Sequence, residues 1–149
     1  MSILQACFTL TRDIAAPVER TFAAFADPAQ KRAWFTDGPD WETTDAAFDF
    51  RVGGIEVAEG KFHGGPLSRW VATYTDIVEN DRIVLTYDMW LDDRHISTSV
   101  ATYEFEAIDG GTRFTHTEHG VHLDGIDTPT EREEGTREII EALAKHLEG

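Results

Sequence analysis

The stretch 112–123 carries titratable side chains at a spacing that could support acid–base chemistry. In an extended strand, Phe114, His116 and Glu118 share one face, because successive side chains point to opposite sides. We predict that this is the inner face, with Phe114 in the core. A histidine beside a carboxylate in a closed cleft could act as a general acid or base. His116 and Glu118 are therefore the candidate catalytic residues.

Arg12 is a further charged residue on an apolar face. It alternates with apolar residues in the segment 8–14, which has the period of a half-buried strand. A buried arginine or glutamate is costly unless it is paired and hydrogen-bonded. One hypothesis pairs Arg12 with Glu118 across the interior. Two roles stay open for these residues and His116: an internal polar network that holds the sheet, or the polar contacts of a ligand site.

Large aromatic residues are frequent, with 4 Trp, 3 Tyr and 9 Phe in the chain. Amphipathic rings suit a cavity that must hold an apolar ligand and offer it a few polar contacts. Large aromatics also fill ordinary cores, so both interpretations are open. The residues concerned are Trp34, Phe35, Trp41, Trp70, Tyr74, Tyr87, Trp90 and Tyr103.

Other kinds of site find less support in the sequence. His116, His119 and His122 are spaced by three, but on a strand His119 faces the side opposite to the other two, which argues against a shared metal ion. The single cysteine, Cys7, has no partner for a disulfide within the chain. Nucleophile-elbow, phosphate-loop and dinucleotide-binding motifs are absent. We expect no metal and no obligatory cofactor.

Composition and charge indicate one acidic globular domain. The chain has 149 residues, with 13 Lys and Arg against 28 Asp and Glu, a formal net charge of −15. This length suits a single domain, 1–149. The charge would repel phosphates, so we expect no nucleic-acid partner. The N-terminus lacks the regions of a signal peptide, and no stretch approaches the roughly 20 apolar residues of a membrane-spanning helix. We therefore predict a cytoplasmic protein without membrane insertion.

The period of the apolar residues predicts one strand, two short helices, six strands and one long helix. Pro17 begins the first helix, Asp27 caps the second, and Asp127 or Thr128 caps the third. The apolar stripe of the long helix consists of Ile139, Ile140, Leu143 and Leu147. The inward side can be followed back from it to Thr136, Gly135 and Arg132. The first strand is 8–14, and the later ones are 47–52, 55–62, 69–78, 82–91, 95–108 and 112–123. This order predicts an α+β fold, in which a curved antiparallel sheet of about seven strands wraps around the long C-terminal helix.

Six motifs in this order resemble a known family. They are Arg12-Asp13-Ile14-Ala15-Ala16-Pro17 with Phe22, Asp27-Pro28, then Trp34-Phe35, Asp49-Phe50-Arg51-Val52-Gly53-Gly54, Arg82-Ile83-Val84-Leu85-Thr86-Tyr87, and Gly110-Gly111-Thr112-Arg113-Phe114-Thr115-His116-Thr117-Glu118-His119-Gly120. The chain resembles the START-like or SRPBCC superfamily with the helix-grip fold, in particular the branch related to the C-terminal domain of the heat-shock-protein-90 ATPase activator. It departs from that pattern in the last helix, where the family usually has Gly-Trp and this chain has Gly135-Thr136.

The resemblance implies a cavity between the long helix and the sheet, in a family whose members bind apolar molecules and include some cyclases. We predict that the chain binds a small apolar or aromatic molecule there. The predicted ligand contacts are Arg12, Trp34, Phe35, Trp41, Trp70, Tyr74, Tyr87, Tyr103, His116, Glu118, Gly135 and Thr136. The alternatives are a cyclase-like or hydratase-like enzyme using His116 and Glu118, or a co-chaperone-like ATPase activator. We expect no stimulation of the chaperone, because the activator's separate N-terminal domain is lacking. A homodimer stays open.

Gly135 is the least expected residue of the long helix, because a glycine inside a helix costs about 1 kcal/mol relative to alanine. Close approach of the helix to the sheet would explain it. Free volume under the first turns would explain it equally, and a ligand would then lie beside Thr136. We interpret the charged segment 131–134 just before it as a solvated helix start.

Overall fold

The structure is a computed structural model that describes residues 2–149, and it has the predicted order of elements. These are β1 (Ile3–Ile14), α1 (Val18–Ala26), α2 (Pro28–Phe35), β2 (Trp41–Phe48), β3 (Ile55–Phe62), β4 (Leu67–Val78), β5 (Arg82–Leu91), β6 (Arg94–Ile108), β7 (Gly111–Leu123) and α3 (Pro129–Glu148). The predicted α+β fold, with seven strands and a long C-terminal helix, is confirmed.

The seven strands form one antiparallel sheet in the order β1-β7-β6-β5-β4-β3-β2. Each strand from β2 to β6 pairs with the next one along the chain, and β1 pairs with β7. Register shifts interrupt the ladders at Thr43/Asp45, Tyr74/Asp76 and Met89/Trp90, and such bulges bend a strand. The helix α3 packs against β1, α1 and α2, as expected for a helix-grip fold.

The position of β2 differs from the prediction. The sequence predicts a strand at 47–52, whereas β2 ends at Phe48 and the chain then turns. Gly53 has a φ of +85°, and a β-carbon on Gly54 would lie 2.0 Å from the carbonyl oxygen of Asp49. The prediction is wrong because β2 is an edge strand with mostly exposed residues, so it shows no alternation of apolar and polar side chains.

The core lies between the inner face of the sheet and the helices. Ile83 and Leu85 from β5 and Phe114 from β7 are fully or almost fully buried. Phe25 of α1 stacks on Phe114 with ring centroids 5.4 Å apart. From α3, Leu143 completes this core. The predicted inner face of β7 is therefore confirmed.

The helix α3 begins with Thr128 as its N-cap. Its hydroxyl accepts a hydrogen bond from the backbone N–H of Glu131 and donates one to the Glu131 carboxylate, each at 3.1 Å. Of the predicted stripe, Ile139 is 38% exposed and lies beside the buried face instead of within it. The buried residues of α3 are Arg132, Thr136, Ile140, Leu143, Ala144 and Leu147.

Candidate functional site

A cleft of about 420 Å³ lies between the first turns of α3 and the sheet. Its walls come from α2, the strands β2 to β6 and α3, and most of them are apolar or aromatic. A smaller inner pocket of about 60 Å³ adjoins it. The two spaces have in common the wall residues Phe35, Trp70, Tyr87, Thr136 and Ile139.

Gly135 faces open space. A β-carbon built on this glycine would have no neighbour within 4 Å, so close approach of the helix to the sheet does not explain it. Gly135 lines the cleft, and the next residue, Thr136, lines both the cleft and the inner pocket. The hydroxyl of Thr136 donates to the Arg132 carbonyl at 2.8 Å, which leaves its methyl group as the only bulk at this point of the helix. The cleft therefore lies beside the part of α3 that carries Gly135 and Thr136.

The structure brings most of the predicted aromatic contacts together around these two spaces. Trp41 lines the cleft, and Tyr74 and Trp90 line neither space. Trp90 instead stacks on His95, at a centroid distance of 4.9 Å. The aromatic residues of the inner pocket that had been predicted as contacts are Trp34, Phe35, Trp70, Tyr87 and Tyr103.

Arg132 lies on the inward side of α3, as the stripe predicts, and is the centre of a buried polar network that the sequence analysis did not predict. Instead of belonging to a solvated helix start, its guanidinium is buried, and it donates to the Tyr87 hydroxyl at 3.0 Å and to Ser97 Oγ at 2.8 Å. Its Nη2 lies 2.5 Å from a carboxylate oxygen of Asp127, and its Nη1 lies 3.6 Å from Glu118 Oε2. The signal available in the sequence was its spacing of four residues from Thr136 on the inward stripe.

Glu118 is buried and all but enclosed by donors. One oxygen lies 3.0 Å from His116 Nε2, and the other accepts a hydrogen bond from the Tyr87 hydroxyl. Burial acts to raise the pKa of Glu118, but the bonds from His116 and Tyr87 and the charge of Arg132 outweigh it, so that the pKa is lowered. Glu118 is thus a carboxylate with both oxygens engaged, which suits it to orient its neighbours better than to exchange protons with a ligand.

Burial and neighbouring charges also shift the pKa values of Tyr87, of Arg132 and of His122, which lies 3.7 Å from Asp127. Burial and the negative charge of Glu118 raise the pKa of Tyr87. Burial acts to lower the pKa of Arg132, but Tyr87, Asp127 and Glu118 raise it above its ordinary value. Burial and the charge of Arg132 lower the pKa of His122, with Asp127 opposing them. At neutral pH the network holds a charged arginine, a protonated tyrosine and an uncharged His122.

Arg12 lies outside this network, and the hypothesis that pairs it with Glu118 is wrong. Its side chain is 32% exposed, and its guanidinium contacts two carboxylates of α3, Glu141 at 2.9 Å and Glu148 at 3.5 Å. In the ladder between β1 and β7, Glu118 is opposite Phe8, four residues from Arg12 and about 13 Å along the strand. Sharing a face of the sheet did not bring the two charges within reach of each other.

A second buried ion pair, absent from the predicted site, closes the inner pocket. Lys31 Nζ lies 2.9 and 3.2 Å from the two carboxylate oxygens of Glu56, which also accepts a hydrogen bond from Tyr74. Burial and the charge of Glu56 raise the pKa of Tyr74. The ammonium group lies 4.5 Å from the ring centroid of Phe35 and 5.6 Å from that of Trp70. Tyr74 therefore supports Glu56 through a hydrogen bond and does not itself line the inner pocket or the cleft.

The histidines of β7 lie as the alternation of the strand predicts. His116 and His122 are buried, whereas His119 is on the outer face, 3.7 Å from the sulfur of the exposed Cys7. Within residues 2–149, no group of three or more His, Cys, Asp or Glu side chains is arranged to hold a metal ion. Across the same residues, no helix has the length and apolar character needed to span a bilayer.

Comparison with known proteins identifies the family. The family model described as Activator of Hsp90 ATPase homolog 1-like protein matches residues 15–148. The chain belongs to this family. The Mll3558 protein from Rhizobium loti is 42% identical, with a TM-score of 0.91 over 99% of this chain and 100% of that one. A protein from Rhizobium leguminosarum is 38% identical, with a TM-score of 0.94 over 99% of this chain and 97% of that one.

A more distant family member shows how far the fold extends. The AHSA1-like protein from Aeromonas hydrophila is 21% identical and has a TM-score of 0.71, with 96% of this chain and 92% of that one covered. At this identity the likeness concerns the fold alone. No curated protein matches the chain. The predicted membership of the START-like superfamily is confirmed.

Proposed function

We propose that this protein binds a small apolar or aromatic molecule in the cleft between α3 and the sheet. The observation that carries the proposal is the aromatic cleft of about 420 Å³ with its adjoining inner pocket. Its volume falls in the range of roughly 300–1,000 Å³ found for small-molecule sites. Gly135 lines the cleft without a side chain, and a β-carbon there would meet nothing, so this part of the cleft is open space.

The polar network gives the cleft a fixed wall. Arg132 and Tyr87 line the cleft and are held by Glu118, Asp127 and Ser97, so their positions do not depend on a ligand. Preorganised polar groups orient a ligand at little entropic cost. We expect the polar end of the molecule to contact this wall, and its apolar body to lie against Phe35 and Trp70.

Binding accounts for the geometry better than catalysis does. An acid–base role for Glu118 needs a free oxygen facing the substrate, and both oxygens are engaged by His116 and Tyr87. The cyclase-like or hydratase-like alternative, with His116 and Glu118 as acid and base, stays a prediction, and both residues line the inner pocket. The expectations of no chaperone stimulation and of a cytoplasmic location also stay predictions.

A titration with Nile red, an uncharged apolar fluorophore, tests the proposal. We expect saturable binding to the cooperatively folded protein. Thr136→Trp should weaken it at least about tenfold while costing no more than about 1–3 kcal/mol of unfolding free energy, because the indole enters free space. Arg137→Trp places the same side chain on the exposed side of α3 and serves as the matched control.

Two outcomes would contradict the proposal. One is fluorophore binding that appears only after partial denaturation, since it would report exposed core and not a site. The other is an unchanged affinity in a Thr136→Trp variant that melts like the parent, since it would place any ligand elsewhere.

A further inference from the structure

The cations of the cavity are already neutralised by the fold. Lys31 is bound by both oxygens of Glu56, and Arg132 lies 2.5 Å from Asp127 and 3.6 Å from Glu118. These side chains are largely or fully buried, and a buried ion pair is costly to break. An anionic ligand would therefore have to displace a built-in carboxylate from one of these cations.

The mouth of the cleft carries a net negative charge, because Arg132 faces two carboxylates, Glu118 and Asp127, and Glu131 adds a third. Glu131 is exposed and lines the cleft. Within the described part of the chain, only one of its carboxylate oxygens accepts a hydrogen bond from a side chain, that of Thr128. No Lys, Arg or His side chain of residues 2–149 forms an ion pair with it. Asp127, also in the lining, uses only Oδ2 to meet Arg132 and leaves Oδ1 without a side-chain partner among the same residues. The chain as a whole has a formal charge of −15, which adds to this field.

The aromatic walls suit a positive charge as well as an apolar body. The face of an aromatic ring attracts a cation within about 6 Å of its centroid. Two of the rings that line the cleft, Phe35 and Trp70, already do so for the ammonium group of Lys31, at 4.5 and 5.6 Å. Rings and carboxylates together thus favour a cation in this cavity. The ammonium group of Lys31 already occupies such a position in the inner pocket.

We propose that the cleft selects apolar amines, with the protonated nitrogen at the mouth beside Glu131 and Asp127 and the aromatic body against Phe35 and Trp70. This inference rests on the proposed binding function and adds the charge class of the ligand. Uncharged aromatic molecules bind more weakly, and apolar carboxylates are excluded.

Three probes with one ring system test the selection: 1-naphthylmethylamine, 1-naphthalenemethanol and 1-naphthoic acid, titrated at pH 7 by isothermal calorimetry. We expect the amine to bind at least about tenfold more tightly than the acid, with the alcohol between them. The ratio of amine to acid should narrow at high salt, since the carboxylates at the mouth are partly solvated.

Glu131→Gln separates the charge from the pocket. Glutamine keeps the capping interaction with Thr128 and removes only the negative charge. We expect the amine affinity to fall by about threefold or more while the alcohol affinity stays the same. Glu134→Gln changes the same charge at an exposed position outside the cleft, and should leave both affinities unchanged.

The outcomes distinguish the two proposals. Equal or tighter binding of the acid, or a Glu131→Gln variant that keeps the full preference for the amine, would overturn the charge selection and leave the binding function intact. Absence of binding by all three probes and by Nile red would overturn both.

Discussion

The two halves of α3 use the same sheet in opposite ways. In the C-terminal half, Ile140, Leu143 and Leu147 are buried and pack into the core. In the N-terminal half, the inward positions are Arg132 and Thr136, and the cleft lies beneath them. A helix that is bulky at one end and small or charged at the other holds the sheet firmly at one end and leaves room for a ligand at the other.

The difference between the two halves of α3 separates interactions that stabilise the fold from interactions that position the residues of the site. Apolar burial is non-directional, so the C-terminal half of α3 is stabilised by the apolar surface that it buries and not by particular contacts. The polar end depends on each hydrogen bond being made, because an unpaired buried charge is expensive. We therefore expect mutations at the two ends to differ in kind as well as in size.

The largest effect should come from the polar end. Glu118→Ala leaves Arg132 without one of its buried counter-charges and Tyr87 and His116 without their acceptor, and should cost about 3–5 kcal/mol of unfolding free energy. Glu141→Ala removes the exposed partner of Arg12 and should cost less than about 1 kcal/mol. Urea denaturation of both variants measures the contrast. Similar small losses in the two would mean that the network is not a structural unit.

Leu147→Ala tests the apolar end. Leu147 is 2% exposed and lines neither the cleft nor the inner pocket. Truncation should lower the unfolding free energy by about 2–5 kcal/mol through lost burial and a new cavity. The affinity of the folded variant for Nile red should stay as in the parent. A variant that loses affinity in proportion to its stability would show that the two halves of α3 are not separable.

Acid should weaken the polar end of α3. The folded protein lowers the pKa of Glu118 below its ordinary value of 4.5. A lowered pKa contributes stability that is fully present above the unfolded value and is lost as the pH falls through the folded one. The difference in unfolding free energy between the parent and Glu118→Gln should therefore be constant above about pH 5 and shrink on acidification. A difference that does not change between pH 6 and pH 3 would contradict the lowered pKa.

The smallest effect, of opposite sign, is expected at Gly135. Alanine would meet no atom within 4 Å, so Gly135→Ala should stabilise the helix by about 0.5–1 kcal/mol. The added methyl group takes little of a cleft of about 420 Å³, and Nile red affinity should change by less than about twofold. A loss of stability would reveal a contact at this position, which thermal melting would detect.

The fold was accessible from the sequence because its signals are local. The alternation in β1 and β7, the caps Asp27 and Thr128, and proline at the start of α3 each specify an element without knowledge of the rest of the chain. The exception, β2, is an edge strand whose exposed residues carry no such pattern. Its position is decided by pairing with β3.

The site was accessible only in part. The alternation of β7 predicts that His116 and Glu118 point inward, and the structure places both there. The same reasoning gives no prediction for Glu56, because β3 carries its apolar Ile55 on the outward face, 49% exposed, and the small Ala58 on the inward one. The alternation of a strand indicates its inward face only when the large apolar residues share one face, and in β3 they are divided, with Ile55 and Val57 on one face and Phe62 on the other.

The sequence by itself determined the order of the elements, the inward face of the last strand and the small residues at Gly135 and Thr136, because each depends on neighbours a few positions away. Only the tertiary structure decided which charges meet. Glu118 is paired with Arg132 and not with Arg12, and Lys31 with Glu56, because strand register and helix placement bring together residues that lie far apart in the chain. An ion pair forms only when its charged atoms lie within about 4 Å of each other, and the sequence does not contain those distances.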